Sequence, residues 1–279
     1  MIRILFIGDI IAKYGRQLTR NVLPEIKEKH SIDLVIANAE NSAHGNGLTV
    51  KVYKELLEMG IDALTSGNHI FDRKEFLGDI DKCDKVVRPA NYPKQVPGRD
   101  HLIVETPQGV RVGIICLMGR VFMHTLDNPF PVADKLIDKI KRETDVIIVD
   151  IHAEATSEKT AMGWYLDGRV SAVLGTHTHI QTADERILPK GTAYLTDAGM
   201  TGPMESVIGV EIPPILQRYL TGVNYRFEAV KNGPGLFSAC VVGIDEETGR
   251  AHEIKRIYQV TDAMEVEEEK KEKKLPNPA

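Results

Sequence analysis

Residues 2–9 read IRILFIGD, an apolar run of strand length that ends in an aspartate. The run is too short to cross a membrane and has no signal-peptide layout, so we interpret it as a buried strand. Similar apolar runs recur at residues 33–40, 62–68, 111–119, 145–152, 170–175, 192–199 and 236–245. Amphipathic segments lie between many of them, at residues 16–29, 49–59, 73–81, 132–143 and 157–166. Apolar strands separated by helices predict an α/β fold whose sheets are covered on both faces.

The second half of the chain modifies this picture. Strands dominate after residue 190, so we expect mixed sheets. Residues 199–235 are rich in Gly and Pro and are predicted to form a long irregular segment, which in a compact domain is usually functional or faces a partner. We expect a single domain over residues 1–262. Residues 263–279 end in EVEEEKKEKKLPNPA and are predicted to be a charged, disordered tail.

Charge and cysteine content narrow the possible functions. The formal net charge is −5, which does not favour binding to long nucleic acid. It leaves room for a small phosphorylated substrate, because a metal can supply local positive charge. Cys83, Cys116 and Cys240 are scattered and form no C-x-x-C motif, which argues against a disulfide framework or a thiolate zinc site. We therefore expect a cytoplasmic protein that does not associate with a membrane.

Polar residues stand where the apolar runs end. In α/β sheets, ligands bind in the crevice beyond the carboxyl ends of the strands. Five runs deliver polar side chains to such a rim: Asp9, Glu40 with Asn41, Asn68 with His69, His152, and His177 with His179. We expect these side chains to line one site.

Taken singly, most of these residues have ordinary explanations. Asp9 could cap a helix, the pairs at 40–41 and 68–69 could be turns, and His152 could be a satisfied core histidine. His177 and His179 are harder to dismiss, because side chains at i and i+2 of an extended segment share a face. Two imidazoles on one face at a strand end make a good metal clamp.

The set as a whole points to metal ions. Nitrogen and oxygen donors without sulfur suit Fe, Mn, Zn or Co rather than a structural zinc–cysteine site. Seven donors are too many for one tetrahedral ion and suit two ions that share a carboxylate. Two such ions form a clamp for in-line displacement at phosphorus. On this interpretation the two histidines face two different metals.

The motifs GD at 8–9, GNH at 67–69, His152 and GTHTH at 175–179 resemble the calcineurin-like metallophosphoesterases. That superfamily implies a β-sandwich of mixed sheets flanked by helices, with a binuclear metal site. Two departures narrow the resemblance. The usual D-x-H opening is absent because Ile10 and Ile11 follow Asp9, and Glu40 stands where a second G-D motif is usual.

With these two departures, the motifs resemble those of the bacterial YmdB-like phosphodiesterases. The likeness extends over GDIIAKYGR, NAENSAHGNGLT, SGNHIFD, DIHAEATSEK, GTHTHIQTAD and DAGMTGP, from Met1 to about Asp262. It implies that His69 is the proton donor and that Glu40 bridges two ions. The ligands implied for the first ion are Asp9, Glu40, Asn41 and His179. Those implied for the second are Glu40, Asn68, His152 and His177.

The same resemblance implies hydrolysis of 2′,3′-cyclic nucleotides, and in some members of 3′,5′-cyclic ones, by a cytosolic homo-oligomer. The two ions would be iron first, or manganese, with Zn, Co or Mg as further options. A hydroxide bridging the ions would be a strong nucleophile at neutral pH, because metal coordination lowers the pKa of water. His69 would then protonate the leaving ribose oxygen.

Two other functions stay open at this point. The same site could serve a phosphomonoesterase or protein phosphatase. The protein could also be a regulatory scaffold whose metal site is structural or a sensor. Turnover of 2′,3′-cyclic AMP compared with 5′-AMP and p-nitrophenyl phosphate separates the first two, and metal-loaded protein without activity on any phosphodiester would favour the third.

Overall fold

Two mixed β-sheets stack face to face in this computed structural model, which describes residues 1–266. The first sheet has seven strands in the order β2-β11-β12-β1-β3-β4, with β13 paired to β12. The second has six strands in the order β5-β6-β7-β8-β10-β9. This confirms the predicted α/β class and the mixed sheets.

The bounds of the elements follow. The strands are β1 (Ile2–Ile7), β2 (Asp9–Ile10), β3 (Leu34–Asn38), β4 (Ala63–Thr65), β5 (His101–Glu105), β6 (Arg111–Met118), β7 (Ile147–His152), β8 (Ala172–Thr176), β9 (Arg186–Ile187), β10 (Ala193–Leu195), β11 (Met200–Pro203), β12 (Asn232–Ile244) and β13 (Ala251–Glu265). The helices are α1 (Ala12–His30), α2 (Val50–Glu58), α3 (Lys74–Asp79), α4 (Pro129–Ile140), α5 (Thr156–Leu166) and α6 (Ile212–Thr221).

Alternation along the strands produces the layers. In β1, Leu5 and Ile7 pack in the cluster that contains the buried faces of α1 and α2, whereas Ile4 and Phe6 pack in the cluster between the two sheets. Successive side chains of a strand point to opposite faces, so an all-apolar strand feeds two cores at once. A third cluster joins the outer face of the second sheet to α4 and α5. The result is a helix–sheet–sheet–helix sandwich.

The parallel strands set the position of the site. Strand β1 pairs with β3 and β3 with β4 in parallel, and so do β6 with β7 and β7 with β8. Their carboxyl ends therefore reach one edge of each sheet. Contacts between residues at these ends, such as Glu40 after β3 and His152 at the end of β7, show that the two edges meet.

Two sequence-based expectations need correction. Residues 199–235 are not irregular throughout, since they hold β11, α6 and the start of β12. Strand β13 also runs past the domain end predicted at residue 262, because β12 is long enough to pair with it as far as Glu265. Val266 is then buried in the core, and the rest of the predicted tail lies outside the described residues.

Cys83, Cys116 and Cys240 are buried free thiols. Among residues 1–266, no helix combines the length and apolar character needed to cross a membrane.

Candidate functional site

The seven predicted ligands come together at the meeting sheet edges. His152 is the last residue of β7, and the others lie in the turns just beyond β3, β4 and β8 or at the start of β2. We call these seven residues the site floor: Asp9, Glu40, Asn41, Asn68, His152, His177 and His179. Each is brought there by a strand that is anchored in the core.

Glu40, His152 and His177 form the centre of the site floor. Their ligand atoms lie within 4.8 Å of one another. His152 Nε2 lies 3.1 Å from Glu40 Oε1 and 3.1 Å from His177 Nδ1. Asn68 Oδ1 lies 2.9 Å from the same His152 nitrogen. Four potential donors therefore point at one small volume.

Asp9, Asn41 and His179 form the other side. His179 Nε2 lies 3.1 Å from Asn41 Nδ2 and 3.9 Å from Asp9 Oδ1. Asp9 is completely buried, and its Oδ1 has no hydrogen-bond partner. A buried carboxylate oxygen without a partner is energetically unfavourable unless something else binds it. Asn41 Nδ2 also contacts Glu40 Oε1 at 3.3 Å, which links the two sides.

The charge states of the floor fit cation binding. Burial would raise the pKa of the Glu40 carboxyl, but His152 outweighs burial and lowers that pKa to about 2. Burial would lower the pKa of His152, but Glu40 reverses this and raises it to about 9. Metal binding would displace the proton that these shifts favour on His152, because a metal-bound imidazole is neutral. Burial and the nearby His152 lower the pKa of His177 to about 3, so this ring is neutral, as a metal ligand must be.

The backbone at His177 and His179 differs from the prediction. Strand β8 ends at Thr176, and the two histidines have φ values of 95° and 64° instead of extended ones. The expectation that they share one face of an extended segment is therefore wrong. Left-handed conformations cost non-glycine residues about 1–2 kcal/mol each, so the loop is held in place by its surroundings. The rings nevertheless reach the two sides of the floor.

Gly67 lets the turn that follows β4 lie close to the centre of the site floor. A Cβ atom at this position would lie 2.2 Å from His152 Nε2 and 2.4 Å from Glu40 Oε2. No side chain fits there without displacing a floor residue. The glycine before Asn68 is therefore a condition of the site geometry.

His69 lies beside the floor and is more exposed. Its backbone N–H donates to Glu40 Oε2 at 2.9 Å, and its Nδ1 lies 2.8 Å from Asp72 Oδ2. Asn46 Nδ2 also donates to that Asp72 oxygen, at 3.0 Å. Asp72 thus orients the ring and leaves Nε2 uncommitted among these contacts. Asp72 was not singled out from the sequence, although it stands three residues after His69 in the quoted motif SGNHIFD.

Three outer contacts orient the floor histidines, and the sequence had not indicated them as functional. His152 Nδ1 lies 2.8 Å from Thr176 Oγ1, which donates to the buried Asp150 carboxylate at 2.7 Å. His177 Nε2 lies 3.1 Å from Glu154 Oε2. His179 Nδ1 lies 3.1 Å from the Ile208 carbonyl oxygen.

These contacts test whether the floor suits metal ions. Each imidazole turns one nitrogen outward to an oxygen acceptor and the other inward. Metal-binding histidines almost always have such an outer partner, which fixes the tautomer. The inward nitrogens converge with the buried Glu40 carboxylate and the unpartnered Asp9 oxygen. The residues present fit nitrogen- and oxygen-binding metal ions.

A cavity of ≈ 450 Å³ opens above the floor. Floor residues and His69 line one side. We call residues 204–230 the rim segment, and it supplies much of the other side through Ile208, Gly209, Val210, Phe227, Glu228 and Ala229. The lining therefore combines the polar floor with a rim segment that is mostly apolar apart from Glu228.

Known proteins are similar to this chain in sequence and in fold. The YmdB-like protein family matches residues 5–257. The chain is 48% identical over 262 residues to a 2′,3′-cyclic-nucleotide 2′-phosphodiesterase of Bacillus subtilis (strain 168), an alignment that spans 94% of this chain and 98% of the relative.

Two solved structures agree with this result. A hypothetical protein from Thermus thermophilus superimposes with a TM-score of 0.86 at 43% identity, covering 93% of this chain and 100% of that one. A protein from Mycoplasma pneumoniae described as a novel phosphatase gives a TM-score of 0.87 at 37% identity, covering 94% of both chains. The match to the family extends over most of the described fold and includes the whole site floor, so the chain belongs to the YmdB-like protein family.

Proposed function

We propose that the chain is a metal-dependent phosphodiesterase that hydrolyses cyclic nucleotides, with 2′,3′-cyclic nucleotides as its main substrates. One observation carries the proposal: at the bottom of an open cavity, the outward-anchored imidazoles of His152 and His177 converge with the buried Glu40 carboxylate, and the anchored His179 ring lies 3.9 Å from the buried Asp9 carboxylate. The name of the Bacillus subtilis relative supports the choice of substrate.

The proposed ligand sets follow the two sides of the floor. Asp9, Glu40, Asn41 and His179 would hold one ion. Asn68, His152 and His177 would hold the other and share Glu40 with the first. Iron is the first candidate and manganese the second. When bound, such ions lower the pKa of coordinated water and offset the charge of a phosphate group.

His69 is the proposed general acid. It adjoins the floor through its backbone bond to Glu40, yet its ring is directed to Asp72 and not to the central cluster. An alkoxide is a poor leaving group, so the ribose oxygen requires a proton as its bond to phosphorus breaks. Asp72 would hold the ring in place. The mostly apolar rim segment would take up the nucleoside.

A phosphomonoesterase is the second candidate, and the solved Mycoplasma pneumoniae relative described as a phosphatase favours it. A turnover comparison separates the two. Protein loaded with Mn²⁺ or Fe²⁺ is assayed on 2′,3′-cyclic AMP, 3′,5′-cyclic AMP, 5′-AMP and p-nitrophenyl phosphate. We expect the highest kcat/KM on 2′,3′-cyclic AMP, loss of activity with a chelator and recovery on re-addition of metal. Faster release of phosphate from the monoesters would contradict the proposal.

The assembly and the location of the protein stay predictions. We expect a cytoplasmic homo-oligomer with no binding of long nucleic acid. Light scattering measures the oligomeric state, and a gel-shift assay with duplex DNA and structured RNA measures nucleic-acid binding.

A further inference from the structure

A buried ion pair lies behind the loop that carries His177 and His179. Lys159 of α5 and Asp197, which follows β10, are both completely buried, and Lys159 Nζ lies 2.6 Å from Asp197 Oδ2. Removing two charges from water is costly, and apolar residues of similar volume often stabilise a fold equally well. The ion pair is therefore weak evidence of a stabilising role, and the contacts of Asp197 indicate what else it does.

The Asp197 carboxylate is directed at the histidine loop. Its Oδ2 accepts hydrogen bonds from the Thr178 backbone N–H at 3.1 Å and from the Thr178 hydroxyl at 2.6 Å. Its Oδ1 accepts from the Gly199 N–H at 2.8 Å. Lys159 thus fixes the same oxygen that binds Thr178 twice.

Thr178 is the residue between the two floor histidines. Both neighbours have positive φ values, a conformation that side chains bearing a Cβ rarely adopt. A hold on Thr178 opposes relaxation of the loop toward ordinary extended backbone. Such a relaxation would turn the His177 and His179 rings out of the floor.

We propose that Asp197, anchored by Lys159, is a positioning residue that clamps Thr178 and so presents His177 and His179 to the two metal ions. This inference rests on the metal site of the proposed function. It adds two residues, Lys159 and Asp197, that contact neither the proposed substrate nor the metals. They act through the backbone N–H and the hydroxyl of Thr178.

The first test measures Mn²⁺ affinity by calorimetric titration without substrate, together with the melting temperature. Thr178→Val keeps the side-chain shape and removes the hydroxyl donor. We expect its Kd for Mn²⁺ to rise about 10- to 100-fold, the usual effect of losing an outer partner of metal ligands. Thr178→Ser keeps the donor and should restore most of the affinity.

Thr196→Val is the matched control. The Thr196 hydroxyl also donates to a carboxylate, that of Asp184, at 2.5 Å, and it directly precedes Asp197 in sequence. We expect this variant to lower the melting temperature while leaving the Mn²⁺ affinity unchanged. If Thr178→Val and Thr196→Val both lower the melting temperature and neither changes the Kd, the pair is merely structural and the clamp is refuted.

Lys159→Met completes the test through a double-mutant cycle with Thr178→Val. Because both residues act on one Asp197 oxygen, their effects on Kd should be less than additive. Additive effects would overturn the shared clamp, and if Lys159→Met does not fold, the comparison of Val and Ser at position 178 decides. Wild-type protein that binds no Mn²⁺ would overturn the proposed function and the clamp together, whereas normal wild-type binding with an unchanged Thr178→Val affinity would overturn the clamp alone.

Discussion

The two sides of the cavity are built in opposite ways. The site floor stands at the ends of core strands, and its Asp9, Glu40 and His152 are completely buried. The rim segment packs loosely: its helix α6 has no buried residue, and Tyr219 is 82% exposed. The core strands therefore hold the floor rigidly, whereas the rim segment can vary without disturbing the core.

The difference assigns separate tasks to the two sides. Groups that take part in bond breaking need a fixed geometry, which anchored strand ends provide. Groups that contact the nucleoside need surface area and shape more than exact position. We therefore expect floor substitutions to change kcat or metal content, and rim substitutions to change KM.

Glu40→Gln should have the largest effect. Glu40 is the proposed bridge between the ions, and its carboxylate contacts His152 on one side of the floor and Asn41 on the other. We expect a loss of bound metal and a fall in kcat/KM that exceeds the about 10²–10⁴-fold contribution of a general acid. Elemental analysis and steady-state kinetics measure the two quantities.

Glu143→Gln is a suitable control for Glu40→Gln, because it removes a carboxylate from an exposed pair with Arg111. It should bind metal as the wild type does. Two ions per chain in Glu40→Gln at wild-type affinity would disprove the bridging role and with it the special status of the floor.

His69→Ala should reduce kcat on 2′,3′-cyclic AMP by about 10²–10⁴-fold while the metal content stays unchanged. The reason is that the His69 ring is the proposed proton donor, and that the His69 backbone N–H, not the ring, contacts Glu40. The loss should shrink for bis-p-nitrophenyl phosphate, whose leaving oxygen needs no proton. Equal losses on both substrates, or loss of a metal ion, would show that His69 is a ligand or a phosphate-binding residue.

Asp72→Asn tests a residue that lies beside the floor and outside the rim segment. A hydrogen bond to a charged group contributes about 1.5–3 kcal/mol, or about 10- to 100-fold in rate. The His69 and Asp72 side chains are 39% and 38% exposed, so solvent screening favours the lower end, about 10-fold in kcat. Asp79→Asn, which removes an exposed i,i+3 partner of Lys82, is the control and should leave kcat unchanged. An unchanged kcat in Asp72→Asn would mean that the carboxylate does not support catalysis.

The floor was predictable from the sequence because its residues end apolar runs, and strand ends meet at a sheet edge. Its supporting residues were not. Lys159 is an ordinary charged residue of a helical segment until the fold places Asp197 beside it, and Glu154 and Asp72 lie in turns without any repeating pattern. The backbone of His177 and His179 was predicted wrongly because the extended conformation of β8, which ends at Thr176, was continued three residues too far.

Residues 199–235, which contain the rim segment, were misjudged for a related reason. Their Gly and Pro residues were taken as signs of irregular structure, yet two of them begin α6 within its first turn and Gly222 ends it in a left-handed conformation. Proline at a helix start and glycine after its end are favourable positions. The positions of Gly and Pro along a segment therefore predict its secondary structure better than their number does.

Phe227→Ala should have the smallest effect and the most selective one. Phe227 of the rim segment lines the cavity, and the Arg218 guanidinium lies 5.3 Å from its ring centre, which supports the ring from one side. Stacking of a base on an aromatic ring contributes about 1–3 kcal/mol, and an open rim favours the lower value, so KM for 2′,3′-cyclic AMP should rise about fivefold at unchanged kcat. Glycerol 1,2-cyclic phosphate has the same strained diester without a base, and its kcat/KM should not change.

Tyr219→Ala, in the same segment but outside the cavity lining, is the matched control and should behave as wild type on both substrates. If Phe227→Ala impairs both substrates equally, the rim supports the floor and does not select the base, and the division of tasks between the two sides of the cavity fails.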